Sequence, residues 1–205
     1  MLRIDVNLLD RMALAAKRYP HRASDILQSI KKNQLISKQV VVDHIPTNSR
    51  VCVMGGWYAL AFMLLTEDPT IKYTSLDLDS DCTAIGNLLS PGSQFEFITA
   101  NALNYVGDFD VYVNCSTEHM DNEQLLFAMT NIETGKLCIF QNNNNFNVPD
   151  HINCFSTLEE YVDYLKDYID IQQTFEDRMD NGTTRFTIIG NKSEDEDSDS
   201  LPTAR

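Results

Sequence analysis

No apolar run in the 205-residue sequence is long enough to cross a bilayer. The longest, Trp57–Leu65, is under half the length of about 20 residues that a membrane-spanning helix needs. The first ten residues carry Arg3, Asp5 and Asp10 where a signal peptide would have its apolar core. The sequence therefore predicts a protein that is neither secreted nor inserted in a membrane, and it favours a cytoplasmic location.

Paired cysteines and a recognisable spacing of metal ligands are also missing. The five cysteines are spread widely and none forms a C-x-x-C pair, which is typical of reduced thiols that pack as small apolar residues. The histidines are equally dispersed, at His21, His44, His119 and His151, and no quartet of ligands has the spacing of a zinc site. We therefore expect reduced cysteines and no metal site.

Positive charge is scarce, since 16 lysines and arginines face 30 aspartates and glutamates, for a formal net charge of −14 at pH 7. Such a surface repels a phosphate backbone, so nucleic acid is not favoured as a partner. The basic first forty residues leave a local exception open. The segment 191–205 is acidic and has little apolar content, which predicts a disordered tail.

From residue 49 onward, short apolar strands alternate with helical stretches, and this alternation is typical of a parallel sheet with crossover helices. The turn Asp180-Asn181-Gly182 predicts that the last two strands pair as an antiparallel hairpin. The predicted strands are Arg50–Met54, Tyr73–Leu76, Phe95–Thr99, Val111–Asn114, Leu137–Phe140, Ile169–Glu176 and Thr184–Gly190. The fold class is α/β: an open, mostly parallel, Rossmann-like sheet with a C-terminal antiparallel hairpin, preceded by N-terminal helices.

The chain divides into three predicted segments. Residues 1–48 form a helical extension, in which Ser24 caps a helix that runs on toward Leu35. Residues 49–190 form the Rossmann-like domain, and residues 191–205 form the acidic tail.

Adjacent glycines follow the first predicted strand. Gly55 and Gly56 let a ligand approach the backbone closely, and the next helix offers free N–H groups at its start. The full G-x-G-x-x-G pattern is absent because Trp57, Tyr58 and Ala59 come next. A pyrophosphate needs several close backbone contacts, so the pattern favours a ligand smaller and less anionic than NAD or FAD. A tight strand-to-helix turn without a ligand is the alternative.

Asp77 ends the second predicted strand, about twenty residues after Gly55. An acidic residue at this distance reaches ribose hydroxyls in such folds, and a carboxylate accepts two hydroxyl hydrogen bonds at once. We expect Asp79 to face solvent or to cap the following helix.

The order of these features, followed by Ile98-Thr99-Ala100-Asn101, resembles class I S-adenosylmethionine-dependent methyltransferases. The segments that carry the closest likeness, to small proteins of tailed phages classed as methyltransferases, are Met54–Tyr58, Ser75–Asp79, Asn114–Met120, Gln141–Asn144 and His151–Cys154. The resemblance covers roughly residues 25–190. It implies S-adenosylmethionine as cofactor, bound by Gly55, Gly56, Trp57, Tyr58, Asp77 and Asn101, with Asp77 on the ribose and Asn101 near the adenine.

The polar segment after the fourth predicted strand lies at the sheet edge where open α/β sheets bind ligands. We expect Asn114, Glu118 and His119 to be catalytic, with Glu118 or His119 accepting a proton from the methyl acceptor. In the alternative interpretation, Ser116 and Thr117 cap the next helix and the two ionisable residues only decorate its first turn.

Asparagines follow the fifth predicted strand at the same sheet edge. The run Asn142–Asn145 is too polar for a core, so we expect either a substrate-binding wall or an exposed loop. The substrate-binding candidates are Asn142, Asn143 and His151, with Asn153 beside them.

These observations predict methyl transfer from S-adenosylmethionine to an unidentified acceptor. Met54 and Asn101 depart from the family pattern, which often has an acidic residue at each position. The alternative is therefore a degenerate Rossmann module that binds a nucleoside ligand or a protein partner without catalysis. A phage structural or host-interaction protein is the third hypothesis.

Overall fold

The computed structural model describes residues 6–90 and 92–194. Its strands are β1 (Arg50–Met54), β2 (Lys72–Asp77), β3 (Phe95–Thr99), β4 (Val111–Asn114), β5 (Leu137–Asn143), β6 (Ile169–Arg178) and β7 (Thr184–Lys192). Its helices are α1 (Val6–Arg18), α2 (Ala23–Gln28), α3 (Lys32–Val42), α4 (Leu60–Leu65), α5 (Ser80–Leu89), α6 (Asn122–Thr130) and α7 (Leu158–Leu165). Among the described residues, no helix is both long and apolar enough to span a membrane.

All seven strands form one sheet in the order β3-β2-β1-β4-β5-β7-β6. Strands β1 to β5 run parallel, and β7 lies antiparallel between β5 and β6. The predicted fold class, including the C-terminal hairpin, is confirmed. The chain leaves the centre at β1, moves outward to β3 and returns to β4, so the order reverses between β1 and β4. Ligands of open α/β sheets bind beyond the strand ends at such a reversal.

The sheet is covered on both faces, which explains why β4 is buried along its whole length and β1 at every residue after Arg50. Alternate residues of β1 point to opposite faces, as strand geometry requires. Cys52 and Met54 pack with residues of α6 and α7, whereas Val51 and Val53 pack with residues of α3 and α4.

The N-terminal helices add a third apolar cluster. Met12 of α1 and Ile26 of α2 pack with Leu60 of α4 and Ile85 of α5. Helices α1 and α2 thus provide part of the shell around α4 and α5.

The single helix predicted from Ser24 to Leu35 is wrong. Ser24 lies inside α2 and makes no capping bond, and Lys31 has an extended backbone that separates α2 from α3. The two helices serve different clusters, since Ile26 of α2 packs beside α1 while Val41 of α3 packs on the sheet. One straight helix cannot reach both.

Four strands, β2, β5, β6 and β7, are longer than predicted. β5 continues three residues beyond Phe140, and β7 ends at Lys192, so the predicted domain boundary after residue 190 falls inside β7. The prediction of a disordered tail falls on residues 195–205, which lie outside the described residues, and on 191–194, of which the first two belong to β7.

Packing of α5 against β3 depends on the absence of a side chain at Gly86. A Cβ on Gly86 would lie 2.3 Å from the Phe97 ring. We predict that Gly86→Ala lowers the free energy of unfolding by about 1–3 kcal/mol because the ring has to move. Urea titration measures this change. Gly92→Ala is the control, since a Cβ there meets nothing within 4 Å, and it should stay within about 0.5 kcal/mol. Equal effects of the two variants would contradict the prediction.

Candidate functional site

A strained loop connects β1 to α4. Gly55, Trp57 and Ala59 all have positive φ, at 60°, 52° and 49°. Glycine adopts this conformation freely, whereas a tryptophan or an alanine is strained in it. Three left-handed residues in five turn the chain sharply at the carboxyl end of β1, where the strand order reverses.

The second glycine of the loop is required by packing. A Cβ on Gly56 would lie 2.2 Å from Ser75 Oγ and 3.0 Å from Val53. The Gly56 N–H donates to the Leu76 carbonyl over 3.0 Å, so the loop is tied to the end of β2.

Asp77 holds the loop at its other side. Its Oδ2 accepts the Trp57 N–H over 3.1 Å, and its Oδ1 accepts the Asp79 N–H over 3.0 Å. Burial raises the pKa of the half-buried Asp77 carboxyl above its ordinary value. The Cys82 side chain and the Leu78 N–H also act on this carboxylate as hydrogen-bond donors. Asp79 accepts the Asp81 N–H and caps α5, as expected.

The aromatic residues of the loop form a stacked pair. The rings of Trp57 and Tyr58 lie 5.1 Å apart with an interplanar angle of 13°. Tyr58 is fully buried, and burial raises the pKa of its hydroxyl. Trp57 is half-buried against the cluster of α1, α2, α4 and α5.

A basic pair from the N-terminal extension reaches the same end of the sheet. Arg22 forms ion pairs with Asp79 and Asp81, and His21 lies 2.7 Å from Asp81. The position of Arg22 at this end of the sheet was not predicted, because nothing in the local sequence distinguishes Arg22 from the other basic residues nearby.

Asn101 follows β3, and its side chain turns back onto its own loop. Its Oδ1 accepts the Leu103 N–H over 2.9 Å. The Nδ2 group is therefore the part of the amide that remains to recognise a ligand.

The segment after β4 contacts the glycine loop. Asn114 is fully buried; its Oδ1 accepts the Ser116 N–H over 2.9 Å, and its Nδ2 faces the Met120 sulfur. The Ser116 hydroxyl donates to the Gly55 carbonyl over 3.3 Å. Asn114 thus shapes the turn that joins the two loops.

The alternative in which Ser116 and Thr117 cap the next helix is wrong. Residues Thr117–His119 form a separate 3₁₀ turn, and α6 is capped by Asp121 with Gln124 in a capping box. The turn instead directs Glu118 inward and leaves His119 exposed.

Glu118 is a buried carboxylate in an ion pair, with 4% of its side chain exposed. Its Oε1 accepts from Asn143 Nδ2 over 2.6 Å and from Arg185 Nη1 over 3.0 Å. Its backbone carbonyl accepts the N–H groups of Ile152 and Asn153. Arg185, on β7, was missed because a single arginine in an antiparallel strand carries no sequence signal for a partner 67 residues away.

The expectation that Asn142 and Asn143 lie in a loop is wrong, since both belong to β5 and both are buried. Polar residues are tolerated here because their amides have partners. Asn142 Nδ2 donates to Thr117 Oγ1 and to the Asn153 carbonyl. Because both side chains are buried, neither asparagine is exposed to contact a substrate.

A buried lysine completes this polar interior. Lys38 of α3 donates to Gln141 Oε1 over 3.0 Å, and burial lowers the pKa of its amino group. Its neighbours in sequence, Ser37 and Gln39, gave no indication of a buried amine.

His119 and His151 meet at the surface above Glu118. Their rings lie 4.8 Å apart at an angle of 89°. The Nδ1 atoms lie 2.9 Å from the Asp150 carbonyl and 3.0 Å from the Asn145 carbonyl, respectively. Burial lowers the pKa of His151. Glu118, His119 and His151 each offer one ligand atom within 4.8 Å of the others, a grouping that their spacing in sequence did not reveal.

A separate surface cavity of about 440 Å³ lies at the opposite end of the strands, between α1 and the starts of β2 and β3. None of the predicted site residues lines it. Most of the residues that line it belong to helix ends and to the turns before β2 and β3. The candidate site is therefore the other end of the sheet, beyond β1, β2 and β4, where the strand order reverses.

No family model matches the chain, and no curated protein matches it in sequence. The 1,6-didemethyltoxoflavin-N1-methyltransferase of Burkholderia thailandensis, solved with 1,6-didemethyltoxoflavin and S-adenosylhomocysteine, is similar in structure. Its TM-score is 0.65 at 10% identity, over 95% of this chain and 92% of that chain. The N-methyltransferase NodS of Bradyrhizobium japonicum WM9 gives 0.61 at 11% identity, over 80% of this chain and 100% of that chain.

The same fold also occurs in the 4+2 cyclase SpnF, with a TM-score of 0.63 at 10% identity over 77% of this chain and 80% of that chain. NodS has also been solved with S-adenosylhomocysteine. At these identities the likeness shows the fold alone, a Rossmann-like fold that this chain shares with several S-adenosylmethionine-dependent methyltransferases. A phage origin stays a prediction from sequence.

The ion pair of Glu118 with Arg185 should dominate the stability of this region. We predict that Arg185→Met costs about 3–5 kcal/mol in unfolding free energy, because it leaves a buried carboxylate unpaired. The double variant Arg185→Met/Glu118→Gln should recover much of that loss. Lys166→Met, which breaks the exposed pair with Asp163, should cost less than about 1 kcal/mol. Equal losses from the two pairs in chemical denaturation would refute this account.

Proposed function

We propose that this protein transfers a methyl group from S-adenosylmethionine to a small-molecule acceptor. The observation that carries the proposal is the position of Asp77 and the left-handed loop after β1 at the reversal of strand order. This is the place where open α/β sheets bind nucleoside ligands.

The cofactor side of the crevice fits a nucleoside with a short, non-phosphate tail. The Asp77 carboxylate accepts the ribose hydroxyls. Gly55 lets the methionine part lie close to the backbone, and Asn101 offers its Nδ2 toward the adenine. Trp57 borders the same space, and Tyr58 stacks beneath its ring.

The bound cofactor supplies a methyl group on a positively charged sulfur. Transfer needs the acceptor held in line and water excluded, with little acid–base help. We propose that the acceptor binds against His119 and His151, where the turn after β4 meets the Gly55 loop. Glu118 and Asn114 position this turn through their bonds to Asn143, Arg185 and Ser116.

A small acceptor suits the charge of the protein and the fold comparison. A net charge of −14 opposes polyanionic acceptors. The similar enzyme from Burkholderia thailandensis was solved with a small heterocycle, 1,6-didemethyltoxoflavin.

A second candidate function is ligand binding without turnover. The Asn101 Oδ1 is already engaged by Leu103, and Met54 is buried where the family often has an acidic residue. Both features reduce the polar contacts available to a cofactor. A cyclase also has this fold, so the fold by itself does not imply methyl transfer.

Calorimetry with S-adenosylhomocysteine tests the cofactor site. We predict binding by the folded protein, and a loss of affinity of about 5- to 150-fold in Asp77→Ala, because charge-assisted hydrogen bonds to the ligand are removed. Asp68→Ala is the control, since Asp68 lies in the exposed turn before β2 and binds Thr70. A folded wild-type protein that fails to bind would reject the proposal. Matching losses in both variants would do the same.

Methyl-labelled S-adenosylmethionine, incubated with the protein and a small-molecule extract, tests turnover. We expect a labelled product, and His119→Ala should lower its rate on the order of 10²-fold at unchanged S-adenosylhomocysteine affinity, because the imidazole no longer holds the acceptor in line. His44→Ala is the control for loss of an imidazole elsewhere. Cofactor binding without any labelled product would favour the second candidate. A rate loss under threefold would show that His119 does not position the acceptor.

A further inference from the structure

Glu118 has one oxygen that its surroundings do not satisfy. Asn143 and Arg185 both donate to Oε1, whereas Oε2 is buried and has no hydrogen-bond partner among the described residues. A buried carboxylate oxygen without a partner costs free energy, so its retention calls for an explanation. The missing partner is either a water or a cation.

The two histidines beside it are oriented in the way that metal-binding histidines usually are. Each Nδ1 lies within hydrogen-bond distance of a backbone carbonyl, of Asp150 for His119 and of Asn145 for His151. An Nδ1–H that donates to a carbonyl leaves the lone pair on Nε2. Backbone carbonyls commonly fix the tautomer of metal-ligating histidines in this manner.

We propose that Glu118, His119 and His151 form a binding site for one divalent transition-metal ion. One ligand atom from each residue lies within 4.8 Å of the other two. Two imidazoles and a carboxylate form a recurrent ligand set for zinc and for non-haem iron. The site goes beyond the proposed methyl transfer and can be tested without any cofactor.

The ligand types select the metal. Imidazole nitrogen suits zinc, cobalt, nickel and iron, whereas magnesium and calcium prefer oxygen ligands. Ligands of zinc bind at about 2.0–2.2 Å, so the three side chains must close around the ion. His119 is exposed and has room to move, while Glu118 is anchored by Arg185.

Three protein ligands leave coordination positions open, as in catalytic zinc sites. The exposed side of His119 faces solvent, so these positions accept water or a donor atom of a bound small molecule. Cys154 lies 3.7 Å from His151 Nδ1, on the side of the ring that faces the backbone carbonyl. Cys154 therefore contacts the imidazole on the side away from Nε2, the atom proposed to bind the metal.

Metal titration of the tag-free, full-length protein, stripped with EDTA, tests this site. Calorimetry with Zn²⁺ and absorption with Co²⁺ should both report one ion per chain. His119→Ala and His151→Ala should each weaken binding at least about tenfold. His44→Ala is the matched control, because His44 also bonds a backbone carbonyl through Nδ1, that of Val40. It should bind as the wild type does.

Glu118→Gln removes the charge but also breaks the pair with Arg185, so its folding is checked by circular dichroism. If that variant unfolds, His119→Ala still tests the site, because His119 is exposed and its replacement does not disturb the interior. Absence of stoichiometric binding would overturn the site, as would unchanged binding in both histidine variants. A thiolate-to-cobalt charge-transfer absorption would place the ion on cysteine and overturn it as well.

Discussion

The ion pair between Glu118 and Arg185 is the constraint on which the candidate site depends. It joins the turn after β4 to β7, across β5, and it does so in the interior, where neither charge is tolerated alone. The amide of Asn143 and the N–H groups of residues 152 and 153 gather around the same glutamate. Because these bonds fix the turn, they also fix where His119 and His151 meet above it. The antiparallel hairpin thus helps to fix the surface at which His119 and His151 meet.

The elements that follow simple local rules were predictable from sequence. β3 and β4 begin and end at the predicted residues, since each is a short apolar run bounded by turn residues. Asp79 was expected to face solvent or to cap α5, and its capping role could be foreseen because the cap bond is made within three residues. Asp77 could be located at the end of β2 because its spacing from Gly55 reflects the fixed length of a strand–helix–strand unit.

Elements whose stability comes from distant partners were not predictable. Gln141 to Asn143 are polar, yet they lie in a buried strand because Lys38, Thr117 and Glu118 supply their hydrogen bonds. Those partners are more than twenty residues away in sequence, so no local pattern announces them. The break between α2 and α3 has the same origin, since it follows from packing against two separate clusters. Burial and partners, rather than local preference, decided both cases.

The loop of Gly55 to Ala59 is tied to β2 at two points, by the Gly56 N–H on the Leu76 carbonyl and by the Trp57 N–H on the Asp77 carboxylate. The Ala59 N–H closes the loop on itself by donating to the Gly56 carbonyl. Its unusual dihedral angles are thus held by the protein itself and do not wait for a ligand. Under the proposed function, a ligand that binds here loses its own translational and rotational freedom. The entropic cost of ordering the loop backbone is small, because the loop is already held in place. Recognition here resembles a rigid receptor, so its selectivity rests on shape and on the few fixed polar atoms.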